Sequence, residues 1–303
     1  MHALQKNKTM KQFKLMVLFA IFCIQFIAFA QEPADYVNPF IGTSNYGATF
    51  PGPIAPRGMA SISPFNVAGA PNKLEKDSQW LSNPYVHENT FLTGFSQVNL
   101  SGVGCPDLGV LLLMPTTGEL ETNHLKYGST YKNEVAKAGY YSTHIDKYDI
   151  KAEFTASKRV GVSKFTFPNG QANVLLNLGL GLTNEQGAMV QVVSSTEIQG
   201  MRSVGTFCYN SPEAAYPVYF VAKFSKPADR FGVWKKPAKY EGTEAQWMAY
   251  NGKNRLMEQS TKMVVGDSIG SYFSYNFEKT ETVEVKIGVS YVSIENAREN
   301  LEK

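Results

Sequence analysis

GFSQVNLSGVGCPDLGVLLLMPTTG, residues 94–118, contains both kinds of segment from which the rest of the chain is built. Residues 108–114 are an apolar run closed by Pro115 and Gly118, the pattern of a buried strand entering a turn. Residues 94–107 alternate small and polar side chains and end in Cys105, Pro106 and Asp107, which reads as a loop whose backbone can be closely approached. A buried strand carrying such a loop makes a rigid support with a site at its edge. The alternative is that the glycines serve only tight turns, since no catalytic motif of defined spacing matches here.

Downstream, segments of strand character recur at short intervals. They cover residues 139–145, 148–156, 161–167, 173–178, 189–197, 200–209, 217–224, 261–265, 269–277 and 282–290. Aromatic and β-branched residues dominate them, as suits half-buried sheet surfaces. Pro168-Asn169-Gly170 predicts a hairpin, and so does the turn at Gln199-Gly200. Residues 217–224 place Val218, Phe220 and Ala222 on one face. Upstream, residues 35–43 read as strand and turn, 47–56 are too rich in Gly and Pro for a helix or central strand, and 59–63 form a short strand. Residues 66–88 are a long polar loop holding Gln79 and Trp80, the latter either a packed anchor or an exposed stacking platform. Helix is predicted only at 131–137 and at 293–303, the second N-capped by Ser293. The expectation is an all-β chain, a large antiparallel β-sandwich ending in a short linker helix. The chain stops inside that helix, which suggests a further domain beyond it.

Residues 1–30 read as a cleavable signal peptide. Lys6, Lys8, Lys11 and Lys14 precede an apolar run at 15–28, and Ala28-Phe29-Ala30 is an A-x-A cleavage site. Met10 is an alternative start. The run is short for a membrane span of about 20 residues and is interrupted by Gln25, and Phe22 before Cys23 rules out a lipid-attachment box. A periplasmic or secreted protein is expected. The formal charge of +3 includes the four leader lysines, so the remainder carries −1, with no basic patch for nucleic acid. Cys105 and Cys208 are too far apart in sequence for a zinc pattern; they form one disulfide or remain two buried thiols.

No self-contained active site is visible. His2, His87, His124 and His144 fit no metal pattern, and His87-Glu88 reads as a solvated pair in a loop. Asp107 is the best-placed acid, suited to hydrogen-bonding loop amides rather than to proton transfer. Asn99-Leu100-Ser101 is a formal glycosylation sequon.

The chain resembles the N-terminal domain of glycoside hydrolase family 92, the calcium-dependent exo-α-mannosidases. The resemblance is carried by VNPFIGTSNYGATFPGPIAPRGMASISP (37–64), the stretch at 94–118, AGYYSTHIDKYDIKAEFTASKRVGVSKFTFP (138–168) and IGVSYVSIENARENL (287–301). It implies a β-sandwich over 31–290 and a linker helix from 291 to 303 leading into an (α/α)6 barrel that this sequence does not contain. In the family that barrel supplies the glutamate acid, the aspartate base and the calcium ligands of an inverting hydrolysis. No residue here inherits a catalytic or metal-binding role, and the chain alone is expected to be inactive.

The implied parent enzyme is an α-1,2-mannosidase-like glycosidase acting on N-glycan or mannan. The chain's implied partners are a mannose-containing glycan and the barrel, in cis or in trans. By position, the loops reaching the sugar carry Gly47, Ala48 and Thr49, then Gln79 and Trp80, and then Ser101, Gly102, Gly104, Cys105 and Asp107. Trp80 would offer its face to the sugar, and the glycines would admit main-chain amides to hydroxyls. Many members read GFSHTHLSG where this chain has Gln97, Val98 and Asn99. The remaining alternatives are a free-standing carbohydrate-binding module and a non-functional fragment.

Overall fold

The structure is a computed structural model that describes residues 14, 16, 32–44, 47–183, 187–205, 212–235 and 255–303. Apart from residues 14 and 16, the expected signal peptide lies outside the described residues. Residues 1–37 form one unit, in which Pro33–Tyr36 is a 3-10 turn. Residues 38–303 form the other, which holds all the strands among the described residues. The expected strand near residues 35–43 is absent among the described residues, which form turns on either side of Asn38.

In chain order the strands are β1 (Ser63–Pro64), β2 (Phe91–Leu92), β3 (Phe95–Ser96), β4 (Val98–Asn99), β5 (Leu108–Val110), β6 (Leu112–Thr117), β7 (Ser129–Lys137), β8 (Tyr140–Ile145), β9 (Ile150–Ala156) and β10 (Val160–Phe167). There follow β11 (Gly170–Asn177), β12 (Ala188–Ser194), β13 (Glu197–Val204), β14 (Tyr216–Phe224), β15 (Arg230–Lys235), β16 (Arg255–Glu258), β17 (Val264–Gly266), β18 (Ile269–Phe277) and β19 (Glu281–Ser290). One sheet has the order β1-β3-β6-β11-β18-β15-β16; the other runs β17-β12-β13-β14-β19-β10-β9-β8-β7-β2; β4 and β5 pair apart from both. Every pairing is antiparallel.

Aromatic contacts between the sheets close the sandwich. Phe224 of β14 stacks on Phe273 of β18 at 4.0 Å between centroids, and Phe95 of β3 meets Phe154 of β9 at 4.3 Å. Alternation along β10, where Gly161, Ser163, Phe165 and Phe167 are buried, shows how one face feeds this core. Removing each such ring from water contributes about 1.5–3 kcal/mol.

Four local expectations are corrected. The apolar run at 108–114 is two strands, because Leu111 sits in the left-handed region (φ 59°), where the chain leaves its partner β4 and joins β3 and β11. Residues 131–137 are strand β7, not helix. Their alternation is hidden by a bulge between Lys132 and Val135, with Asn133 left-handed at φ 56°. Pro168-Asn169-Gly170 is no hairpin, since β10 and β11 lie in opposite sheets. The hairpin of β12 and β13 turns at residues 195–196, earlier than Gln199-Gly200. The final helix, Ile294–Glu302, forms as expected, and the Ser293 side chain accepts from the Asn296 amide at 3.1 Å.

Candidate functional site

The segments singled out in the sequence are tied together by hydrogen bonds. The Gly102 amide donates to the Ala48 carbonyl at 2.6 Å, joining the loop after β4 to the Gly47–Thr49 stretch. Ser82 Oγ donates to the Gly102 carbonyl at 3.5 Å, and Asn83 Nδ2 to the Thr49 carbonyl at 3.5 Å, which adds the segment following Trp80. Thr49 Oγ1 in turn donates to the Ile41 carbonyl at 3.0 Å. Three stretches far apart in sequence thus form one loop cluster. Phe65, Val67, Ala68, Leu81, Val86, Leu112, Leu180 and Leu182 make a small second core apart from the main one.

Within the cluster the predicted residues take different positions. Lys76–Gln79 is a single helical turn, and Trp80 caps it in the left-handed conformation (φ 54°). Trp80 is 71% exposed, so it is not a buried anchor. Gly47 is required by close approach, because an added Cβ would lie 1.9 Å from the Gly42 carbonyl oxygen. Gly102 is required by its φ of +104°, yet its amide is already committed to Ala48. Gly104 faces open space, so nothing nearby demands a glycine there. Ser101 and Cys105 are exposed. Cys105 is disulfide-bonded, so it is not a buried thiol; Cys208 lies outside the described residues.

Asp107 behaves as a loop-fixing acid. Its Oδ1 accepts from the Leu108 amide at 2.8 Å, but its Oδ2 accepts from Tyr216 Oη at 2.9 Å, a partner at the start of β14 with no sequence signal. Tyr216 packs edge-on against Tyr291 at 5.8 Å. Burial and the Asp107 carboxylate both hold the Tyr216 hydroxyl above its ordinary range.

Gln97, Val98 and Asn99, where many family members read HTH, are all buried. Gln97 Nε2 donates to the Phe95 carbonyl, and Asn99 Nδ2 donates to the Ser61 carbonyl at 2.9 Å. The sequon asparagine is therefore 7% exposed and structural. His87 is exposed but engaged: its amide donates to the Thr43 carbonyl at 2.9 Å and its ring packs edge-on against Phe40.

The profile of the glycosyl hydrolase family 92 N-terminal domain matches residues 36–290. The chain belongs to this family, as its N-terminal domain. It is 29% identical to a family GH92 alpha-mannosidase of Bacteroides thetaiotaomicron solved with mannoimidazole, covering 89% of this chain and 34% of that one at a TM-score of 0.72. A GH92 inverting mannosidase of the same species shares the fold at a TM-score of 0.66 and 22% identity, over 90% of this chain and 34% of that one. A secreted glycosidase of Arthroderma benhamiae is 24% identical over 88% of this chain and 34% of its own length. The chain therefore spans about a third of these relatives. Among the described residues no helix is long and apolar enough to cross a membrane. Nor is any group of three or more His, Cys, Asp or Glu among them placed to hold a metal ion.

Proposed function

We propose that this family 92 domain is the carbohydrate-binding β-sandwich of a secreted or periplasmic α-mannosidase. It supplies loops to the sugar pocket, while the catalytic carboxylates and calcium come from an (α/α)6 barrel met in cis or in trans. The observation that carries this reading is the loop cluster itself: residues 47–49, 82–83 and 102 are bonded together, and the segment leading into them presents the exposed Trp80. An exposed indole beside a polar loop suits the apolar C–H face of a mannose ring. Ile41, whose carbonyl accepts from Thr49 Oγ1, and Leu100 and Val103, flanking Gly102 in sequence, stand exposed at 74%, 49% and 99%, apolar surface of the kind a second domain covers.

The test is NMR titration of the chain with mannose and α-mannobiose at millimolar concentration. The Trp80 indole and Gly102 amide are expected to shift in the wild type, and the Gly102 shift should vanish in Trp80→Ala. Absence of any shift in the wild-type chain would remove the binding role.

A further inference from the structure

The β7 bulge turns a charged side chain inward and an apolar one outward. Strict alternation from Ser129 and Tyr131 would bury residues 133 and 135. Instead Glu134 is half-buried, Asn133 is exposed and Val135 is 43% exposed. Glu134 meets a set of hydroxyls: Tyr141 Oη of β8 donates to Oε1 at 2.6 Å, and Tyr85 Oη donates to the two carboxylate oxygens at 3.1 and 3.2 Å. Tyr85 Oη also lies 3.2 Å from His87 Nδ1. Burial lifts the Glu134 carboxyl above its ordinary range, while the bonds from Tyr141 and Tyr85 and the nearby His87 pull it back. A left-handed Asn133 and a half-buried carboxylate are both costly, so the arrangement calls for a use.

The segment that Tyr85 belongs to supplies that use. Asn83 Nδ2 is bonded to the Tyr85 carbonyl and reaches the Thr49 carbonyl, and the His87 amide holds the Thr43 carbonyl. Tyr131, one turn of the pleat before the bulge, donates to the Asn89 carbonyl at 2.9 Å and accepts from Asn66 Nδ2. We propose that Glu134 is the positioning residue of the loop cluster: its carboxylate fixes Tyr85 against the sandwich, and with it residues 83–87 and the Thr43 and Thr49 carbonyls that they hold. That these loops face a sugar rests on the reading above; the positioning itself does not.

The test is residue-resolved amide exchange on the whole chain. In Glu134→Ala the His87 amide is expected to exchange about tenfold faster or more, as loss of a charged hydrogen-bond acceptor implies. Glu134→Gln, which keeps an acceptor oxygen, should restore most of the protection. Glu153→Gln changes a carboxylate of β9 that instead accepts from Tyr140 Oη, and should leave His87 as it is. Wild-type protection of His87 in Glu134→Ala overturns the proposal. So does a Gln variant as loose as the Ala one, or an equal rise at the distant Phe224 amide. If Glu134→Ala does not fold, Tyr85→Phe removes only the bridging hydroxyl and carries the same expectation and the same refutation. The sugar reading fails separately, through the absence of mannose-induced shifts in the wild type.

Discussion

Phe154→Ala is expected to lower the unfolding free energy by about 4 kcal/mol, within the range for deleting a large ring from a core that cannot fully collapse. Phe154 is 2% exposed and lies where the two sheets meet. Its ring contacts Phe95 of the facing sheet at 4.3 Å, Phe165 at 5.9 Å and Tyr141 at 6.1 Å between centroids. Truncation removes the apolar transfer contribution and leaves a void bounded by other rings, which are too bulky to fill it. Guanidinium chloride unfolding measures the effect: the midpoint should fall with the slope unchanged. A loss under about 1 kcal/mol would mean that the rings repack and that the inter-sheet cluster is not the main source of cohesion.

Asn66→Ala is the second large effect, about 3 kcal/mol, and its physical origin is different. Asn66 is fully buried. Its Oδ1 accepts from the Val86 amide at 2.8 Å, and its Nδ2 donates to the Val86 carbonyl at 2.8 Å and to Tyr131 Oη at 2.6 Å. One side chain thus stands in for a strand, satisfying both backbone groups of a residue in a loop. Alanine leaves the buried Val86 amide without its acceptor, at roughly 1–3 kcal/mol, while the Val86 carbonyl keeps the Asn89 amide and Tyr131 Oη keeps the Asn89 carbonyl. Asn66→Asp, which keeps one acceptor and loses the donor, should recover little. Thermal unfolding followed by circular dichroism gives the ranking. A variant as stable as the wild type would show that water substitutes for the amide.

Asn66 also shows where sequence reading stopped. The strands of the sandwich were legible because alternation in segments such as 160–167 has one cause, a buried face against a wet one. The loops have no such period. Asn66, Asn72 and Asn89 organise residues 66–91 by bonding backbone groups 15 to 23 positions away, and a polar residue in a polar stretch carries no mark of that. For the same reason Trp80 stayed ambiguous between anchor and platform until its exposure was known. Asp107 was recognisable as a loop-fixing acid from its neighbours, but Tyr216 was not, being 109 residues away. The misreading of β7 as helix and the hidden role of Glu134 share one origin. The bulge shifts the phase of alternation in mid-strand, so the apolar and polar positions no longer fit a period of two.

The turn at Pro168-Asn169 carries the chain from one sheet to the other, and it is one of several such passages. After β11 the chain returns to the larger sheet for β12 to β14, crosses back for β15 and β16, and then visits the two sheets alternately through β17, β18 and β19. Consecutive strands are therefore often not partners: β6 waits for β11, and β10 for β19. Neither layer can be completed while the other is unformed, and ordering the chain must precede most of the contacts that reward it. Such lacing predicts slow, all-or-none assembly governed by long-range loop closure, with no stable half-molecule along the way.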